Sequence, residues 1–332
     1  MAAGEKGSRK IKRAGILLAS ALLALPLALL YIFPQPNGSW PAIFSALGLW
    51  PQAAPEYPTV TFVDVGQGDC TLLREGEHAV LIDTGTDGYS LLRALRREGV
   101  AQIDALIATH PHAHHIGGMD LVMETFDVGY LYMSDTPPAD ETDAQCYGRM
   151  LEAAETQKVE IIHPADRERF TVGGICLEFL APLPDASDEN ERSLIVRAEL
   201  GGASVLVTGD AGGDAETALL RRGDDIEADI LKVGHHGSAG SSSPAFLRMV
   251  APAYAVISVG VDNDYGHPDA GTLTRLQKAG AAVLRTDVLG TVSLSVLEDG
   301  SVQRTNSPPD RQGVQGEQEY SSQGRNRASA AA

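Results

Sequence analysis

Residues 109–118 read Thr-His-Pro-His-Ala-His-His-Ile-Gly-Gly and hold four of the chain's nine histidines, His110, His112, His114 and His115. Imidazole is the commonest zinc-binding side chain, and four in six positions point to metal binding rather than packing. On an extended chain residues i and i+2 point to one side, so His110 and His112 can share one ion. Pro111 between them stiffens the loop and removes a backbone donor. His114 and His115 lie at the turn into a helix, where they can reach a second ion.

Three more sites have the same character. SVLVT ends at Gly209-Asp210, ADILKV runs into Gly234-His235-His236-Gly237-Ser238, and a later loop reads Tyr265-Gly266-His267-Pro268. Seven of the nine histidines therefore fall in three loops that follow strands. A carboxylate among imidazoles is a natural bridge between two divalent ions, and the chemistry such a set supports is metal-assisted hydrolysis. His78 and His163 read as ordinary structural or surface residues.

The elements that position these loops follow from apolar spacing. The first half gives strands over 59–65, 70–74 and 79–83, helix 88–98, strand 103–108, helix 117–126, strand 128–133, helix 142–156, strand 158–162 and a hairpin over 169–180. The second half gives strands 192–199 and 203–208, helix 213–222, strand 228–233, helix 243–250, strand 253–259, helix 270–279 and strands 282–286 and 291–296. Hairpins mixed with βα units argue for two sheets flanked by helices. Loops at strand ends are where such folds place their ligands.

Around this domain, 58–304, the composition changes. The first 13 residues carry a net +4 and precede 20 uncharged, apolar positions, 14–33. That run is long enough to cross a bilayer, with Pro26 tolerated as a kink, and the basic flank places the N-terminus in the cytoplasm. A cleaved signal peptide is the competing reading of the same segment; the layout otherwise describes a single-pass membrane protein with its domain outside the cytoplasm. Residues 34–57 read as a linker and 305–332 as a disordered tail. The formal charge is −18, which leaves −22 once the N-terminal +4 is set aside. So acidic a domain repels polyanions at long range and excludes nucleic-acid binding through a broad basic patch; ions in a cleft still bind phosphate locally. Cys70, Cys146 and Cys176 have no zinc-type spacing and read as small apolar residues.

THPHAHHIGG, TGD, LKVGHHGS and YGHP, with FVDVGQGDC and LIDTG before them, resemble the metallo-β-lactamase superfamily. They are most similar to its branch containing the extracellular domain of ComEC-type competence proteins and bacterial phosphorylcholine esterases. The resemblance covers roughly residues 58–296. It implies a four-layer αββα sandwich with a dinuclear zinc site at one edge. His110 and His112 correspond to the first two histidines, His115 to a ligand of the second ion, Asp210 to the bridging carboxylate and His267 to the last ligand. His236 is assigned as third ligand of the first ion, with His235 as the alternative. Asp64, Asp69 and Asp83 correspond to acidic positions that orient histidine N–H groups.

One position departs from the pattern. The family loop reads HxHxDH, and His114 stands where the aspartate belongs. Losing that negative charge should loosen the second ion relative to an Asp-containing relative. Imidazole is still a good zinc ligand, so a two-zinc site is expected; the alternatives are one tight zinc with a weak second site, or another metal such as Mn²⁺ or Ni²⁺. Asp210, Lys232 and His235 are the candidate catalytic residues, with Lys232 and Ser238 placed to meet a phosphate oxygen; Asn190, Arg192 and Ser193 lie on a loop that reaches the same region. The implied activity is a metal-dependent phosphodiesterase or nuclease, whose substrate is nucleic acid or a phosphorylcholine-type polymer. Lactam, lactone or thioester hydrolysis uses the same site, and a non-catalytic metal-binding domain of a DNA-uptake or envelope complex is the alternative from another class.

Overall fold

Apolar residues alternate along most strands, and the two sets bury against different partners, which forces a sandwich. The computed structural model describes residues 54–305 apart from positions 87, 136 and 182. The apolar segment 14–33, most of the 34–57 linker and residues 306–332 lie outside the described residues. No helix among the described residues is long and apolar enough to cross a membrane.

The first sheet contains β1 (Thr59–Phe62), β2 (Thr71–Glu75), β3 (His78–Ile82), β4 (Gln102–Ala108), β5 (Asp127–Met133) and β6 (Glu160–Ile162). The chain's last strands, β14 (Val292–Val296) and β15 (Val302–Thr305), return to it, giving the order β15-β14-β1-β2-β3-β4-β5-β6. The second sheet runs β13-β12-β11-β10-β9-β8-β7. It is built from β7 (Arg169–Val172), β8 (Ile175–Leu180), β9 (Ile195–Leu200), β10 (Ala203–Val207), β11 (Ile230–Lys232), β12 (Tyr254–Ile257) and β13 (Ala282–Arg285). In each sheet one half is antiparallel and the other parallel: β3 through β6 in the first, β10 through β13 in the second.

Three apolar layers result. Val60, Phe62, Val80 and Ile107 of the first sheet meet Phe179, Val196, Val205 and Val256 of the second, forming the middle of the sandwich. Their neighbours Leu72, Leu81 and Leu106 face outward onto α1 (Gly88–Arg97), α3 (Met119–Thr125) and α4 (Glu141–Gln157). Leu206, Leu231 and Ile257 face the opposite way, onto α5 (Gly213–Arg222), α6 (Pro244–Val250) and α7 (Ala270–Lys278). Each such side chain, fully buried, contributes about 1.5–3 kcal/mol. The two remaining α-helices among the described residues are single turns, α2 (Ala113–Ile116) and α8 (Thr286–Leu289).

Several boundaries differ from those read in the sequence, and the differences cluster where loops enter the site. β1 stops at Phe62, β11 covers only Ile230–Lys232, and the helix expected over 117–126 is α3, starting at Met119, with the unexpected single turn α2 before it across Gly117-Gly118. A Cβ on Gly118 would lie 2.7 Å from the Cα of Gly88, so glycine is what allows these two segments to touch. β15 was not expected; it adds an edge strand that carries the domain through Thr305.

Gly68 controls how the first long loop meets the histidine loop. It has φ +142°, and a Cβ there would sit 2.3 Å from the carbonyl oxygen of His114. Gly68→Ala should lower the unfolding free energy by about 2 kcal/mol or more, read by urea denaturation. An unchanged midpoint would mean that the two loops do not meet as described.

Candidate metal centre

Five chain segments converge at one edge of the sandwich: four leave the ends of β3, β4, β10 and β11, and one leads into β2. Asp83 follows β3, His110 to His115 follow β4, Asp210 follows β10, and His235-His236 follow β11. Asp69, just before β2, joins them from the antiparallel side. Side chains from distant parts of the chain meet because the parallel strands release their loops at the same edge.

The outward nitrogen of each deeply placed imidazole is tied to an acceptor. His115 Nδ1 donates to Asp83 at 2.7 Å, and Asp83 also accepts the Thr109 amide at 2.9 Å and the Thr109 hydroxyl at 2.8 Å. Because Thr109 Oγ1 gives its proton to Asp83, it accepts from His110 Nδ1 at 3.1 Å. His236 Nδ1 donates to the Ser258 carbonyl at 2.9 Å, and His112 Nε2 to Glu189 at 3.3 Å. These acceptors fix the tautomers and turn the opposite nitrogens inward.

The inward atoms form two sets. His114 Nε2, His115 Nε2 and His236 Nε2 lie 3.5, 3.3 and 3.3 Å from the carboxylate oxygens of Asp210. His110 Nε2 and His112 Nδ1 face each other at 3.0 Å. Asp210 is wholly buried; both its oxygens, His115 Nε2 and His236 Nε2 make no hydrogen bond among the described residues. Buried polar atoms left without such partners while aimed at one another fit a bound cation. The donor chemistry, imidazole with carboxylate, suits a divalent transition metal such as zinc.

Charge tells the same story. Burial alone would raise the Asp210 carboxyl, but His236 and His115 overcome it and hold it well below the usual carboxylate range. Burial likewise opposes a charge on His115 and His236; Asp210 with Asp83 raises His115 to about 10, and Asp210 with Asp69 raises His236 to about 9. His114 is instead lowered to about 4 by burial and by His115, and His110 is lowered for the same two reasons. The three buried carboxylates thus favour positive charge beside His115 and His236, which a divalent ion at their inward nitrogens would supply.

His235 and His236 both have left-handed backbones, φ +49° and +52°, between Gly234 and Gly237. Each such residue costs of order 1–3 kcal/mol, and this strained pair is what sends His236 inward and leaves His235 at the rim. His235 Nε2 is 3.9 Å from Asp210, and its ring lies 5.8 Å from that of His267. His267 stands outside the donor set around Asp210, at the mouth, with Tyr265 stacked on its far face at 5.9 Å.

Lys232 needs correction as a substrate contact. It shares the inner face of β11 with Ile230, is fully buried, and directs Nζ onto Asp69 and onto the Gly209 carbonyl at 2.9 Å. It therefore braces the loop carrying Asp210 from behind and meets no solvent. Ser238 is occupied within its own loop, its hydroxyl accepting from Gly240 N at 3.3 Å. Ser193 accepts the Asp210 amide at 3.1 Å, while Arg192 is held on the Ala186 carbonyl and Asn190 sits in a single 3-10 turn. Asp64 caps a turn through Gly66 N. Cys70 is buried, Cys146 and Cys176 are half-buried, and all three are free thiols.

Two carboxylates were missed by sequence reasoning. Asp143, in the first turn of α4, accepts Ala113 N at 2.5 Å and lies 4.0 Å from His112 Nε2, on the same side of that ring as Glu189. Neither belongs to a short motif; only the helix-capping Asp140-x-x-Asp143 spacing marks one of them, and it marks a helix start.

A four-layer α/β sandwich with an imidazole–carboxylate centre at the ends of its parallel strands defines the class of metal-binding hydrolase folds. The metallo-β-lactamase superfamily model matches residues 63–261, and the chain belongs to that superfamily. It is 34% identical over 257 residues to ComE operon protein 3 of Bacillus subtilis, an alignment covering 70% of this chain and 32% of that protein. It is 31% identical over 289 residues to competence protein ComA of Neisseria gonorrhoeae, covering 84% of this chain and 39% of that one. The chain thus spans roughly a third of the length of these curated relatives. Among solved structures, the metallo-β-lactamase fold protein YhfI of Bacillus subtilis aligns over 75% of this chain and 100% of its own, with TM-score 0.47 and 15% identity.

The buried Asp69–Lys232 pair gives a direct test of this packing. Burial raises the Asp69 carboxyl, but Lys232 and then His236 bring it down to about 2, from an ordinary 3.8. Its stabilisation is therefore present above pH 3.8 and is lost as pH falls toward 2. Lys232→Met should remove about 3–5 kcal/mol of stability at neutral pH, measured by urea denaturation, because it leaves a buried carboxylate unpaired. A loss below 1 kcal/mol would contradict the pairing.

Proposed function

We propose that this chain is a metal-dependent phosphodiesterase whose domain lies outside the cytoplasm, attached through the apolar segment 14–33. The observation that carries the reading is the set of inward-turned imidazoles around the buried Asp210. A divalent ion held there supplies Lewis acidity and lowers the pKa of water to near neutrality. Zinc fits the donors, with Mn²⁺ as an alternative.

The residues of this chain then have separate tasks. Asp210, whose carboxyl stays ionised, offers both oxygens to the centre and is positioned to take a proton from the attacking water. Asp83 and Ser258 keep His115 and His236 in the tautomers that ligation requires. His235 and His267 line the mouth, where a neutral imidazole can donate a hydrogen bond to a leaving oxygen or accept a proton from water; burial lowers both below the ordinary histidine range. Tyr265, 66% exposed, adds a flat ring face on which a base can stack.

The competence names of the relatives favour nucleic acid over a phosphorylcholine-type polymer as the substrate. The acidic net charge disfavours long-range attraction of DNA, so the reading calls for short or single-stranded segments delivered to the centre. With Zn²⁺ or Mn²⁺ added, the chain should hydrolyse bis-p-nitrophenyl phosphate, and His112→Ala should reduce the rate by about 100-fold or more. Single-stranded DNA, a phosphorylcholine ester and a chromogenic lactam, compared side by side, should rank in favour of DNA. Metal binding without turnover of any of them would contradict the hydrolase reading.

A further inference from the structure

The histidines near Asp210 divide into sets of unequal size. His114, His115, His236 and Asp210 place four donor atoms within 4.8 Å of one another. His110 and His112 form a pair beside them, with ring centres 4.6 Å apart and only two nitrogens facing inward. The carboxylates nearest that pair, Glu189 and Asp143, approach His112 at Nε2, the nitrogen turned away from His110. With His112 Nε2 they make a separate three-donor group within 4.8 Å, on the far side of the ring from His110, so they add no donor between His110 and His112.

We propose that His114, His115, His236 and Asp210 form the high-affinity ion site of this chain, and that His110 with His112 holds a second ion more weakly. The first set offers three imidazoles and a carboxylate, a complete four-donor complement for zinc, whereas the second offers two. Its members are also better fixed. His115 and Asp210 are fully buried and His236 is 2% exposed, and the Nδ1 atoms of His115 and His236 are held by Asp83 and by the Ser258 carbonyl. Another acidic group, Asp69 with Asp83, lies on the Nδ1 side of His115, where hydrogen bonding and Lys232 already engage it.

The replacement of a carboxylate by His114 therefore changes the kind of donor without removing one. An ion there is held less tightly than beside an aspartate, yet more tightly than by the two-histidine pair. Exchanging oxygen for nitrogen also shifts the preference toward Zn²⁺ and Co²⁺ and away from Mn²⁺. His236, assigned from sequence to the ion of His110 and His112, serves the ion of His114 and His115 instead. The inference rests on the metal-centre part of the proposed function and is independent of hydrolysis.

Cobalt titration of the full chain, stripped of metal with a chelator, tests it through visible absorption and metal content. The first equivalent should give the intense bands of four-coordinate Co²⁺. His110→Ala should keep that first equivalent, with the same spectrum, and lose the second. His114→Ala should weaken the first equivalent by about 10- to 100-fold. His114→Asp, the conservative variant, should bind tightly but with an altered spectrum, and circular dichroism of each variant identifies any that fails to fold. If His110→Ala abolished the first equivalent while His114→Ala left it intact, the order of sites would be overturned. Absence of any stoichiometric cobalt would overturn the metal centre itself, a different failure.

Discussion

A buried carboxylate must be matched by positive charge, and in this domain that requirement falls on Asp210. It sits with Asp69 and Asp83 at the edge of a sandwich whose middle layer is mainly apolar. Left unmatched, three such groups would oppose folding by several kcal/mol each. The fold answers with Lys232 behind Asp69 and with imidazoles around Asp210. The same pairing that keeps the edge folded therefore prepares it for a cation. Structure and chemistry share one electrostatic condition.

The arrangement works because four of the imidazoles, those of His110, His112, His115 and His236, are held from outside. Asp83, Thr109, Glu189 and the Ser258 carbonyl take one N–H each. None of them meets the inward face. Rigidity at the centre thus comes from hydrogen bonds made in the layer beneath it, and those in turn hang on strand ends fixed by apolar packing. The strained left-handed pair His235-His236 is tolerated for the same reason: the flanking glycines and the β12 carbonyl edge leave His236 no other orientation.

Much of this was legible in the chain. Period-two alternation located most strands, and the loops after β4, β10 and β11 were found from histidine and aspartate spacing alone. What escaped was set by tertiary contact. Lys232 looked available because lysine heads normally reach water, yet its parity with Ile230 on a three-residue strand turns it between the sheets. Glu189 and Asp143 lie 46 positions apart and meet His112 only after both sheets form. His267 follows a strand as the other histidines do, but the braced loop 260–267 holds it at the mouth, with Asn263 bonded to the Gly260 and His267 carbonyls. Spacing identified the residue types; the loop conformations decided which of them converge.

The central claim is that histidines from separate loops and one buried aspartate bind metal together at the sandwich edge. An anomalous-difference map at the zinc absorption edge, from crystals of the zinc-loaded chain, measures this most directly. The account predicts its strongest peak among His114, His115, His236 and Asp210. A strongest peak remote from Asp210, or a loaded crystal with no peak at that edge of the sandwich, would contradict it.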